Sequence, residues 1–285
     1  YSFGYIVTAK HVIDGIKAKS VDGKVYLRVN KNDGTSSVLA ATEIDAWKFH
    51  PSDPEHIDVA VLPAWIPQDT YDVRTIEVSM ALNEEIIKKE QMGVGDEVFV
   101  TGLFVNHIGR QQNLPIVRTG SIARMPSEPI HTRYMGDMDA YLIEARSIGG
   151  ISGSPVFDYI GHIRNRNGEL DLGGEHVLFY WLGLMHGHYD IEENHSDVII
   201  EDGNNGTSIN MGIAIVVPVE KILEVINQDE FMKVRKQKKE ELKSKNTPTP
   251  DVAMEEITKE QFEKTLEKVS QKTKPSEPDP SKPKT

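Results

Sequence analysis

The chain contains no cysteine. Disulfides, a thiolate nucleophile and a cysteine-based zinc site are therefore excluded. The same absence fits a reducing compartment and favours the cytoplasm, although many exported proteins also lack cysteine. No apolar run approaches the ~20 residues that a membrane helix needs, which rules out a helical span. Positive charge is in deficit as well: 32 Lys and Arg face 44 Asp and Glu, for a net charge of −12. That balance argues against nucleic acid as the main partner. Nor does the sequence begin with methionine. Tyr1 leads straight into "YSFGYIVTAKHVI", which reads as the inside of a folded domain, so the chain is expected to be a fragment and export stays open.

What is present is a chain of 285 residues, 38% hydrophobic and 27% charged, enough for one large or two small globular units with a polar tail. Most of residues 1 to 218 reads as short strands separated by turns. "GYIVTA" and "KVYLRV" are rich in β-branched and aromatic residues, and "NDGTSS" is turn chemistry. "MALNEEIIKKEQ" (80–91) is the first convincing helix, stopped by Gly93 and Gly95. Strands then resume, with Asn167-Gly168 marking a hairpin. Pro218 opens a second helix, whose Val219, Ile222, Leu223 and Ile226 share one face. Beyond Lys233 there is little to bury, and a solvated, disordered tail is expected. Within it, Ile257, Phe262, Leu266 and Val269 have the spacing of a short amphipathic helix, a candidate contact for an unknown protein partner.

Three short stretches carry chemistry. "YIVTAKHVI" places His11 where a hydrophobic strand ends. "HIDVAVLPA" sets Asp58 at the mouth of an apolar run, where a half-buried carboxylate needs a donor such as an imidazole N–H. "GGISGSPVF" enters a strand through glycines and serines, with Ser152 between Ile151 and Gly153. Glycine in a strand packs nothing, so its concentration there calls for an unusual backbone path, either an ordinary loop or one that exposes a hydroxyl. Each stretch alone has an ordinary structural explanation. Together they supply a nucleophile, a base and an orienting acid in the chain order His, Asp, Ser. Subtilisins and α/β-hydrolases use other orders, and the G-x-S-x-G elbow of the latter is absent, because "GISGS" ends in Ser154.

The sequence resembles the bacterial trypsin-like serine peptidases of the chymotrypsin fold, in the style of their cysteine-free members. The resemblance rests on "TAKH" for T-A-x-H at Thr8, Ala9 and His11, on "DVAVL" for the acid motif at Asp58, and on "GISGSP" for G-x-S-G-[GS]-P at Ser152. It spans roughly residues 3 to 227. It implies an all-β fold of two antiparallel six-stranded β-barrels, the first incomplete at its N-terminus, followed by a C-terminal helix and the tail. The expected units are residues 1–88 with His11 and Asp58, residues 89–228 with Ser152, and the tail at 229–285. The implied activity is serine endopeptidase action on polypeptide substrates through an acyl-enzyme, with no cofactor and no metal. The implied oxyanion hole is formed by the N–H groups of Gly150 and Ser152. The alternative is a protease-like binding module that kept the fold and lost turnover.

Further expectations are finer. Ile151, directly before the nucleophile, cannot pair with a newly cut N-terminus as an aspartate there would. Arg146, six residues before Ser152, stands where relatives often place the floor of the primary specificity pocket, and either contacts an acidic substrate side chain or pairs with a structural acid. Leu184 and Met185, in "WLGLMHG", fall on the strand expected to pair with substrate backbone. His186, His188 and Asp190 lack a third histidine at ligand spacing, so no metal is expected there. The sequons at Asn194 and Asn205 are read as turns.

Overall fold

The structure, a computed structural model, describes residues 3–34, 37–104, 109–132, 135–145, 150–161, 164–166, 169–171, 179–191, 209–244 and 255–257. The N-terminal half runs β1 (Tyr5–Thr8), α1 (Lys10–Lys19), β2 (Lys24–Asn30), β3 (Ser37–Glu43), β4 (Lys48–Phe49), β5 (Ala60–Pro63) and α2 (Glu84–Glu90). The C-terminal half follows with β6 (Glu97–Leu103), β7 (Pro115–Arg124), β8 (Ile130–Thr132), β9 (Gly136–Met138), β10 (Tyr141–Glu144), β11 (Pro155–Tyr159), β12 (Arg164–Arg166), β13 (Glu169–Asp171), β14 (Phe179–Ile191) and β15 (Ile209–Pro218). Then come α3 (Val219–Ile226), α4 (Asp229–Ser244) and a last strand, β16 (Glu255–Ile257).

The C-terminal half closes as a six-stranded barrel in the order β10-β15-β14-β11-β6-β7. Its strands are rich in β-branched residues and bury Val98, Val100, Ile122, Ile143, Val156, Leu182 and Val216 inside. The N-terminal half differs from the expected first barrel. Among the described residues it consists of two three-stranded antiparallel sheets, β1-β5-β4 and β16-β3-β2, with no ladder joining them. A separate apolar cluster, Ile13, Val25, Ile44, Trp47, Ala60 and Leu62, fills the space between these sheets and α1. Among the described residues, then, one barrel closes, and the N-terminal sheets are not joined into a second.

One difference concerns a helix. α1 precedes the helix expected first, since "KHVIDGIKAK" has a β-branched, glycine-interrupted pattern that reads as strand and turn. Tertiary burial of Ile13 against the second cluster supplies what propensity does not. The helix expected at 80–91 forms as α2, with Asn83 capping through its side-chain oxygen to the Ile86 N–H. The segment before α2 already sits on the barrel, because Leu82 N–H donates to the Trp181 carbonyl at 3.0 Å.

The C-terminal region also departs from a solvated tail at 229. α3 forms after Pro218 and buries Val219, Ile222, Val225 and Ile226, with Leu223 partly buried. α4 then brings Phe231 into the core at 4% exposure, packed on the Tyr5 ring with centroids 5.6 Å apart. Arg235 donates from one guanidinium nitrogen to the Tyr5 hydroxyl and the Ile226 carbonyl, and from the other to Asn227 Oδ1. Ile257, expected on a helix, belongs to β16, whose residues Glu255–Ile257 pair with Ala41, Ala40 and Leu39 of β3. β2 pairs with only one side of β3, and the unpaired edge accepts another strand. Phe262, Leu266 and Val269 lie outside the described residues.

Phe231 locks α4 onto β1. Phe231→Ala is expected to cost about 3–5 kcal/mol, as for other large-to-small core changes. Urea denaturation checks it: the midpoint should fall at unchanged slope, and an unchanged midpoint would show that α4 is not docked.

Candidate active site

β1 and β5 pair antiparallel with Thr8 opposite Ala60. Continued two residues on from Thr8 and two back from Ala60, that register brings Asp58 to residue 10, at the start of α1. The first turn of a helix leaves N–H groups unbonded, and Ala9 has no side chain with which to cap one. Asp58 supplies the cap from outside, as its Oδ1 accepts the His11 N–H at 2.8 Å. Its other oxygen, Oδ2, accepts from His11 Nδ1 at 2.7 Å. A negative charge here also faces the positive end of α1.

Asp58 is fully buried, yet its carboxyl sits well below the ordinary carboxylate range. Burial pushes it up, and the hydrogen bonds from His11 and His186 outweigh that push. The consequence for stability follows from the sign of this shift. Above the ordinary carboxylate range, Asp58 is ionised whether folded or not, and its bonds count in full; that contribution fades as pH falls through its depressed folded value. The advantage of the native chain over Asp58→Asn, about 1–3 kcal/mol near neutrality, should therefore shrink below pH ~4. Denaturation of both proteins at pH 7 and pH 3 measures it; an advantage that grows on acidification would contradict the assignment.

Ser152 arrives from the barrel. β11 pairs with β14, Pro155 opposite Leu184, so the loop before β11 lies beside His186 and Gly187. The Gly153 N–H donates to the Met185 carbonyl at 2.8 Å and the Met185 N–H to the Ser154 carbonyl at 2.9 Å, fixing the loop. Gly150 and Gly153 have φ of 95° and 88°. At 153 a Cβ would also lie 2.4 Å from Thr8 Oγ1, so glycine lets the serine loop close onto the strand that leads to His11. Ser152 Oγ donates to the His186 carbonyl at 2.9 Å. Among the described residues it makes no hydrogen bond to His11. An open cleft beside His11 is lined by Lys10, Asp14, Glu55, His56, Met135 and Gly136.

The structure thus brings His11, Asp58 and His186 together and sets Ser152 against the His186 carbonyl. Residues 1–163 match the trypsin-like peptidase domain. The chain belongs to that family. No curated protein matches the chain. Among solved structures, this trypsin-like peptidase domain is similar to the MamO protease domain from Magnetospirillum magneticum, at 14% identity over 77% of this chain and 81% of that chain, with a TM-score of 0.43. It is also similar to Deg5, at 14% identity over 77% of this chain and 75% of that one, with a TM-score of 0.40. A third similar structure is the HtrA-type protease AlgW with decapeptide, at 19% identity over 78% of this chain and 47% of that one, with a TM-score of 0.39. None of the three bears on the chemistry of this chain.

Within the peptidase domain, Leu184 and Met185 do not line a substrate edge as expected. Both side chains are buried, at 2% and 0% exposure, and the main chain of Met185 is already bonded to Gly153 and Ser154. Arg146, Asn194 and Asn205 lie outside the described residues. His186 is the residue that the sequence reading misplaced. The sequence groups it only with His188 and Asp190, but its Nδ1 meets Asp58 Oδ2 at 2.5 Å. The signal available was its position in β14, on the strand that pairs with the serine segment. His11, Asp58 and His186 offer ligand atoms within 4.8 Å of one another, a spacing that could hold a metal ion. The two imidazole–carboxylate hydrogen bonds account for that convergence without one.

Proposed function

We propose that the chain is a serine endopeptidase in which Ser152 is the nucleophile, His11 the general base and acid, and Asp58 the orienting acid. The observation that carries this reading is the His11 Nδ1–Asp58 Oδ2 bond of 2.7 Å on a buried, ionised carboxylate. With a proton held on Nδ1, the lone pair of the ring is left on Nε2. Ser152 Oγ attacks the peptide carbonyl carbon as Nε2 takes the hydroxyl proton. The resulting oxyanion is received by the N–H groups of Gly150 and Ser152, which the positive φ of Gly150 supports. The C–N bond breaks as His11 passes its proton to the leaving amine, and an ester on Ser152 remains. Water, deprotonated by His11, then attacks the ester, and the proton returns to Ser152. Polypeptide substrates fit the reading.

The test is cleavage of a fluorogenic peptide library by the full chain and by Ser152→Ala. Hydrolysis by the former and none by the latter supports the reading. No hydrolysis by either, with the fold intact by circular dichroism, would leave a protease-like binding module as the better description.

A further inference from the structure

We propose that His186 is a positioning residue for the Asp58 carboxylate, a second imidazole donor that holds the acid while the acid holds His11. The proposal rests on the reading of His11, Asp58 and Ser152 given above. Both ring nitrogens converge on one oxygen: His11 Nδ1 lies 2.7 Å and His186 Nδ1 2.5 Å from Asp58 Oδ2. The other oxygen, Oδ1, is taken by the His11 main-chain N–H at 2.8 Å. An ionised carboxylate can only accept, so each of the three nitrogens must donate. Both rings therefore carry their proton on Nδ1, and the carboxylate is held at both oxygens.

Burial makes the second imidazole matter. Asp58 is 0% and His186 6% exposed, whereas His11 opens to the cleft at 33% of its side chain. A buried carboxylate bonded to the half-exposed residue alone would be free to swing with it. His186 is fixed by the barrel, in β14 next to β11 and β15, and gives Asp58 a rigid partner. The two rings meet edge to face, with centroids 5.2 Å apart and planes at 78°, so each can address the same oxygen without stacking on the other. His186 also reaches the nucleophile, since its carbonyl accepts from Ser152 Oγ at 2.9 Å. One residue of the C-terminal barrel thus sets the acid from the N-terminal half and the serine loop against each other. When His11 gains a proton, the carboxylate between the rings is already in place to balance it.

The test is proton NMR of the full chain with histidine ring nitrogens labelled, joined to kinetics. Downfield ring Nδ1–H protons are expected for both His11 and His186, in addition to the Nε2–H that His50 gives Glu224, and His186→Leu should lose one of them. An unaltered chain in which the Nδ1 of His186 carries no downfield proton overturns the proposal, and this result needs no variant to fold. In turnover, His186→Leu should lower kcat by about 10- to 100-fold with KM unchanged, the scale of a lost hydrogen bond to a charged group. His186→Asn, whose amide N–H can stand where Nδ1–H stood, should recover kcat to within about fivefold of the parent. An unchanged kcat in His186→Leu, or no recovery in His186→Asn, would also overturn it. Failure of the peptidase reading is separate: downfield Nδ1–H protons on both His11 and His186 in a chain that hydrolyses nothing uphold the shared carboxylate and reject the activity.

Discussion

Replacing Ser152 by alanine is expected to lower kcat by about 10⁶-fold, replacing His11 by alanine to do nearly the same, and replacing both to cost little more. The reason is that neither group has a separate task. The serine hydroxyl is a poor nucleophile until Nε2 of His11 removes its proton, and the imidazole has nothing to deprotonate once the hydroxyl is gone. Such residues lose their effect together, and what survives in any of the three variants is binding and stabilisation of the oxyanion. That residue of rate should be similar in all of them. Steady-state kinetics on one fluorogenic peptide checks it, with the double variant as the decisive protein. If the double variant lost about as much again as each single one, His11 and Ser152 would be acting independently and would not form one unit.

Asp58→Asn is expected to preserve the fold at neutral pH and lower kcat by about 10⁴-fold. The asparagine has the shape of the carboxylate but carries an N–H of its own. An amide nitrogen turned toward the His11 ring would face a lone pair on Nδ1, which places the ring proton on Nε2 and leaves nothing there to accept from Ser152. The main-chain N–H of His11 would keep an oxygen partner if the amide turned that way, so the start of α1 survives while the chemistry does not. The same change removes the charge that balances the imidazolium. The loss should fall on kcat with KM nearly unchanged, since Asp58 is fully buried and cannot touch substrate. A drop of less than about tenfold would mean that Asp58 is a helix cap and no more.

The candidate residues stood out because each lay in a short motif with an unusual local pattern. Thr8-Ala9 before His11, the apolar run after Asp58 and the glycines around Ser152 are local patterns, and the structure gives each a geometric purpose. That the chain is built of many short strands was legible from patterning in the same way, whereas a six-stranded barrel was implied only by the family resemblance. What stayed hidden depends on contacts distant in sequence. α1 has weak helical character of its own and is held by burial of Ile13 and by the Asp58 cap. α4 looks fully solvated apart from Phe231 and Arg235, and only the position of Tyr5 reveals that those two dock. β16 forms because β3 has a free edge, which no pattern in "EEI" announces. His186 was misassigned for a related reason. Alternation along β14 suggested grouping it with His188, whereas the barrel turns it toward a carboxylate 128 residues earlier.

The most direct measurement is labelling of the full chain with a fluorophosphonate, followed by mass spectrometry of its peptides. Such a reagent loses fluoride and forms a phosphonate ester with a serine whose hydroxyl is activated by a neighbouring base. The account predicts a single adduct, on the peptide that contains Ser152, absent when His11 is replaced by alanine. No adduct on a folded chain, or an adduct that persists without His11, would contradict it.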